Sequence, residues 1–294
     1  MAASYSASPE VFGPQPLWRG SCSPAVETIP EQRTAREVEI IETLPSWQSD
    51  DLASPFLLVP GWGEGICEDA AQMLADSLNS PVYGFEHFRC TEARSAPHEY
   101  KTTTSRAAYD KVIQKGKGPV TLIARSEGAI PAVGMLSQLD DERLSEVGGL
   151  ILQAPAGLIG ADNYLKLSFR TEQEIAQGWM TGTIRRLGVK ALCDTGIYAL
   201  KDVALSLKET RAIAGTDLRP GVEELLDRGL PVGVVACGYD RIFPALRMNQ
   251  MTSELQAKGL RFALVDGVSH LEFADPKIVQ AIKSLRQELL ELAV

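Results

Sequence analysis

Clustered positive charge is what this sequence most clearly lacks. Its 294 residues carry 29 Lys and Arg against 38 Asp and Glu, a formal net charge of −9. Neutralising a phosphate backbone needs Lys and Arg gathered on one surface, so nucleic acid is not an expected partner. Long apolar runs are missing too. Nothing approaches the roughly eighteen residues that span a bilayer, and the N-terminus has no basic segment followed by a continuous apolar stretch. No membrane span is expected, and the expected compartment is the cytoplasm. Cysteine is sparse: Cys22, Cys67, Cys90, Cys193 and Cys237 are odd in number, scattered and free of Cys-x-x-Cys spacing. That pattern argues against a disulfide framework and against a zinc site. Histidine is limited to His87, His98 and His270, which makes the position of each informative. There is no internal repeat of fixed length, and no feature specifies an oligomeric state.

What is present is enough apolar material, 45% of the residues, for one large core. The first 35 residues, rich in Ser, Ala and Pro and including Phe12-Gly13-Pro14-Gln15-Pro16, follow neither a period of 2 nor one of 3.6. They are expected to form a flexible arm in which Leu17 and Trp18 are apolar exceptions. From Glu37 onward, short β-rich apolar runs alternate with segments of helical period. The expected strands are Val38 to Leu44, Phe56 to Val59, Val82 to Phe85, Val120 to Ala124, Leu150 to Gln153, Val232 to Ala236 and Phe262 to Val265. Helices are expected near Glu68 to Leu78, Ser105 to Lys115, Glu127 to Leu139, Leu246 to Lys258 and Pro276 to Leu292. Alternation of this kind reads as an α/β fold with a mostly parallel sheet flanked by helices. Covering both faces of such a sheet explains why the strand runs are apolar throughout rather than alternating.

One interval breaks the rhythm. Between the strand ending near Ala154 and the one starting near Pro231 lies far more chain than a crossover requires. It is helix-like, interrupted by Gly178, Gly182, Gly188 and Gly215, and carries Ile175, Trp179, Met180, Leu187, Leu192, Ile197 and Leu200 as apolar material. The expected organisation is therefore a core over residues 36–156 and 229–294 with a helical cap inserted over 157–228.

The segment Val120-Thr121-Leu122-Ile123-Ala124-Arg125-Ser126-Glu127-Gly128-Ala129 runs an apolar strand straight into a helix through a small-x-Ser-x-Gly turn. This turn resembles the nucleophile turn of the α/β-hydrolase fold superfamily, where the flanking positions are small because strand and helix backbones approach closely. Ala124 stands where Gly is commoner and keeps that steric requirement. The resemblance implies Ser126 as nucleophile, with an acid and then a histidine following in chain order. Val234 to Pro244 sets Asp240 just past a strand in a small-x-x-Asp-x-x-x-Pro pattern, and Leu264 to Phe273 sets His270 in the loop after the final strand. Asp240 is thus the expected acid and His270 the expected base, with Asp162 a fallback acid. His87 and His98 are expected in structural or substrate-rim roles.

Acyl transfer also needs donors aimed at the developing oxyanion. The resemblance assigns these to the backbone N–H groups of Glu127 and of Trp62, in the Pro60-Gly61-Trp62-Gly63-Glu64-Gly65 loop, with Pro60 standing where the family usually has His. That glycine-rich loop lacks the Lys-Ser/Thr ending of a phosphate-binding loop. Arg125 and Glu127 flank the nucleophile, either pairing and shaping the pocket or facing outward. The implied activity is hydrolysis of a small to medium, largely apolar ester or thioester, since the insertion offers Tyr164, Phe169, Trp179 and Met180 without a dense basic patch. Gly61, Trp179 and Met180 are the candidate substrate contacts, and the mechanism that the resemblance implies needs neither a metal nor an organic cofactor. Two other readings remain open: cleavage of a C–C bond or an amide with the same triad, and a non-catalytic member that binds a small ligand.

Overall fold

A computed structural model of the chain describes residues 38–46, 53–63, 68–87, 91–116, 118–182, 199–272 and 275–292. The expected arm, the cysteines other than Cys237, and Leu187, Leu192 and Ile197 of the insertion lie outside the described residues. Seven strands form one sheet in the order β1-β3-β2-β4-β5-β6-β7. They are β1 (Ile41–Thr43), β2 (Phe56–Val59), β3 (Val82–Gly84), β4 (Val120–Arg125), β5 (Val147–Gln153), β6 (Val232–Cys237) and β7 (Arg261–Val265). Strands β2 to β7 pair in parallel, so their carboxyl ends share one edge. The shortfall against a wholly parallel order is β1, which pairs antiparallel with β3 through Ile41↔Gly84 and Thr43↔Val82.

Among the described residues the helices are α1 (Glu68–Leu78), α2 (Thr91–Ser95), α3 (Pro97–Ile113), α4 (Ala129–Ser137), α5 (Asp141–Leu144), α6 (Tyr164–Met180), α7 (Val203–Gly215), α8 (Arg219–Asp227), α9 (Ala245–Met251), α10 (Ser253–Ala257) and α11 (Pro276–Leu292). Alternate side chains of each strand point to opposite faces, and the two faces build two cores. On one, Phe56, Ile123, Ile151 and Val235 pack with Ala71 and Leu74 of α1 and with Ile278, Ile282, Leu285 and Leu289 of α11. On the other, Leu57, Leu122, Leu150, Leu152 and Val234 meet Tyr109 and Val112 of α3 and Met135 and Leu136 of α4. Full burial of each such side chain is worth about 1.5–3 kcal/mol, so the central strands are held firmly from both sides.

Helices α6, α7 and α8 occupy the long interval between β5 and β6. Packing of α6 on α7 and of α7 on α2 and α3 gathers the first two, whereas α8 lies on α4, α10 and β6 and sends Leu218, Val222 and Leu225 into the main core. Several helix limits differ from the sequence expectation. Helix α3 starts at Pro97, whose fixed φ suits a first turn, well before Ser105. The helix expected from Leu246 to Lys258 is broken into α9 and α10 at Thr252, whose hydroxyl donates back to the Met248 carbonyl at 2.9 Å, a contact that bends helices. Among the described residues no helix is long and apolar enough to cross a membrane.

Candidate active site

Strand β4 lies inside the sheet, pairing Ala124 with Val59 of β2 and with Leu152 of β5. The chain leaves it in one tight turn, Ser126–Gly128, before α4 begins. Ser126 sits in that turn with φ 50°, the left-handed region that costs a non-glycine residue about 1–2 kcal/mol. The surroundings enforce this. A Cβ on Gly128 would fall 2.5 Å from the carbonyl oxygens of both Val59 and Pro60, so α4 is drawn against β2 as closely as a missing side chain permits. The Ser126 carbonyl accepts a hydrogen bond from Ala156 N at 2.9 Å, which fixes the turn from the β5 side.

Two loops at the same edge complete the site. Asp240 follows β6 and His270 follows β7, and the loops are joined by hydrogen bonds from Gly238 N to Val265 O at 2.8 Å and from Tyr239 N to Val268 O at 2.9 Å. Three strand spacings, roughly 14 Å, separate β7 from β4, and the loop after Val265 bridges them. His270 Nδ1 is 2.8 Å from Asp240 Oδ2, and His270 Nε2 is 3.0 Å from Ser126 Oγ. All three side chains are buried. Because a carboxylate only accepts hydrogen bonds, the Nδ1 proton is held toward Asp240 and the Nε2 lone pair faces the serine hydroxyl. Asp240 Oδ1 accepts from Phe243 N at 2.8 Å, and the Phe243 ring meets the His270 ring edge-on at 5.4 Å. Asp162, the fallback acid, is bound instead to Arg170 at 2.5 Å and Arg247 at 3.4 Å.

Neither charged neighbour of Ser126 faces outward. Arg125 donates from its guanidinium to the His270 carbonyl at 3.0 Å, and burial pulls that guanidinium down to about 9. Glu127 is 1% exposed, and its carboxylate takes both oxygens to Lys101 Nζ at 2.8 and 2.7 Å. Lys101 also reaches Glu209 of α7 at 2.9 Å, and Glu209 accepts from the Trp62 indole N–H at 2.9 Å. Burial pushes the Glu127 carboxyl up, but the Lys101 ammonium and His98 beside it outweigh burial and hold it at about 2. His98 Nε2 stands 3.6 Å from Glu127, beyond hydrogen-bonding range, and burial pulls His87 down to about 3. Cys237, just ahead of the acid loop, has its thiol pushed far up by burial, which keeps it protonated and unsuited to nucleophilic work.

The half-buried Trp62 side chain is thus linked to the Glu127 side chain through Glu209 and Lys101, while Gly61 follows Pro60 in the loop after β2. Trp179 and Met180, at the end of α6, are 48% and 81% exposed. Sequence reading missed the residue of that helix that does reach the site. Glu174, 1% exposed, accepts from Arg241 N and from His270 N, each at 2.9 Å. Its signal was a carboxylate on the stripe shared by Leu167 and Gly178, the buried face of α6 at helical spacing.

No family model and no curated protein matches the sequence. Solved structures do. A bromoperoxidase from Bacillus anthracis superposes with a TM-score of 0.58 at 15% identity, covering 88% of this chain and 97% of that one. A thermophilic esterase from Thermogutta terrifontis gives 0.58 at 15% identity, covering 86% and 93%. MGS-M2, an alpha/beta hydrolase enzyme from a Medee basin deep-sea metagenome library, gives 0.59 at 9% identity, covering 87% and 95%. At these identities the likeness is one of fold.

Proposed function

Because the chain has the α/β-hydrolase fold, we propose that it is a serine hydrolase in which Ser126 is the nucleophile, His270 the base and Asp240 the acid. One observation carries the reading: a single imidazole, buried, within 3.0 Å of a serine hydroxyl and 2.8 Å of a carboxylate. A serine hydroxyl is a weak nucleophile until a positioned base removes its proton, and this imidazole is held in the tautomer that can do so.

In the proposed cycle, His270 Nε2 takes the Ser126 proton as Oγ attacks the carbonyl carbon. The oxygen charge that develops is met by the backbone N–H groups of Glu127 and Trp62. His270 then returns the proton to the departing alcohol or thiol, leaving an acyl-serine. Water, deprotonated by the same nitrogen, releases the acid and restores the hydroxyl. The substrate is a small to medium, largely apolar ester or thioester. Within the expected 157–228 insertion, α6 and α7 act as the cap while α8 belongs to the core; Trp179 and Met180 offer exposed apolar surface to an acyl chain and Gly61 lets the substrate approach the backbone.

A fluorophosphonate probe tests the core of this proposal. Stoichiometric labelling at Ser126, abolished in Ser126→Ala with near-UV dichroism unchanged, is the expected outcome. A panel of p-nitrophenyl esters of increasing chain length on wild type and His270→Ala tests the base and the substrate class. Absence of both labelling and turnover would remove the hydrolase reading, and equal turnover in both proteins would remove His270 from its role.

A further inference from the structure

The carboxylate of Glu174 ties together the two loops that carry Asp240 and His270, and it does so from a helix that belongs to neither. Its Oε2 accepts from the N–H of Arg241, the residue next to Asp240, and its Oε1 accepts from the N–H of His270 itself, both at 2.9 Å. One turn further along α6, Gln177 Oε1 holds the Arg241 side chain through Nε. With Arg125 donating to the His270 carbonyl, both backbone polar groups of His270 are engaged by charged side chains.

A carboxylate is the side chain this place requires. Two N–H donors converge from different loops, and only an ionised carboxylate presents two acceptors and no donor to them. Burying it costs free energy, and burial together with the Asp240 charge raises the Glu174 carboxyl above its ordinary value, against the pull of the Arg241 and His270 donors. The groups facing it are Asp240 and His270 from the two loops and Arg241 beside them, with Cys237, Arg125 and Glu272 further out. Bringing a second negative charge close to Asp240 is unfavourable in the resting protein, yet it favours the imidazolium that forms when His270 takes a proton.

We infer that Glu174 is a positioning residue: through it, α6 sets the spacing of acid and base and adds negative charge beside the imidazole. The inference rests on the proposed triad for its catalytic meaning but not for its geometry. Glu174→Gln keeps the shape, loses one acceptor and the charge, and turns an NH2 group toward a backbone N–H.

The test combines NMR titration of the His270 ring with steady-state kinetics on wild type, Glu174→Gln and Glu174→Asp. The titration of the ring in Glu174→Gln is expected to move to lower pH by about half a pH unit or more. Turnover, where wild type shows it, is expected to fall about 10- to 100-fold with KM changed less than about threefold, the pattern of a lost transition-state interaction. Glu174→Asp keeps the charge but is one methylene too short to reach both loops. Its ring titration is expected to stay near wild type while kcat still falls, and it decides the matter if Glu174→Gln does not fold. An unmoved His270 titration in Glu174→Gln, or full turnover in Glu174→Asp, overturns the inference. A moved titration in a protein that hydrolyses nothing would leave the positioning role standing and remove the proposed activity alone.

Discussion

Lys101 and Glu127, on a helix and on the turn beneath it, form an ion pair almost sealed from solvent, with side chains 3% and 2% exposed and 2.7 Å between Nζ and Oε2. Glu209 shares the same ammonium at 2.9 Å. Removing the ammonium strands two carboxylates, so Lys101→Met is expected to cost about 3–5 kcal/mol. The triple replacement Lys101→Met with Glu127→Gln and Glu209→Gln should recover most of it, because no charge is then left without a counterpart. Urea unfolding checks both, and a loss under about 1 kcal/mol in the single variant would show that water reaches the pair.

The same pair gives a pH dependence with a definite sign. Glu127 holds its proton less firmly in the folded chain, at about 2, than the ordinary 4.5. Its contribution to stability is therefore complete above 4.5 and is lost as pH falls through the folded value. The stability difference between wild type and Glu127→Gln is expected to be flat from neutral pH to about 5 and to shrink between about 4.5 and 2. A difference that grows on acidification would contradict the assignment.

Gly128→Ala should be among the most damaging single-methyl additions to the chain. The new carbon would lie 2.5 Å from two backbone oxygens of the segment that leads into Trp62, and backbone cannot swing aside as a flexible side chain can. A loss of about 1–3 kcal/mol or more is expected, with fluorophosphonate labelling slowed along with it. Gly215→Ala, whose added carbon meets nothing within 4 Å, is the matched control and should be neutral or slightly stabilising.

Asp240→Asn keeps the acceptor for Phe243 N but no longer holds the Nδ1 proton of His270 by charge. Turnover is expected to fall about 10⁴-fold with little change in KM. Measurement on p-nitrophenyl esters, with thermal melting as a check on folding, decides it. A loss below about tenfold would mean that the tautomer is fixed by something other than Asp240.

How much of this was readable beforehand differs between sheet and site. The central strands were legible because their runs are apolar on both faces, and α1 and α11 fell at their expected limits because each has one clean stripe. Helix α3 was half missed. Its first turns hold Tyr100, Lys101, Thr104 and Ser105 on the buried side, so the stripe there is polar and the hydrophobic period vanishes. The meeting of Ser126, Asp240 and His270 was legible from three loops in family order, since strand ends fix where those loops converge. Glu174 and Glu209 were not, because a charged residue is ordinarily assigned to the solvent face. Each nonetheless occupies a helical-period position among buried neighbours, Glu174 with Leu167 and Gly178, Glu209 with Leu205 and Ile213. A carboxylate in that phase is itself a sign that a partner waits on the inside.

The strand order gives Ser126 and His270 unequal security. Ser126 leaves β4, flanked by paired strands on both sides, while His270 follows β7, an outermost strand that exposes Arg261 and Leu264. Outer elements open locally at lower free energy than inner ones. Ser126 should thus stay in its strained pose while the imidazole drifts off, and if the proposed hydrolase reading holds, mild urea should silence turnover before the protein melts, with turnover returning on dilution faster than any refolding step.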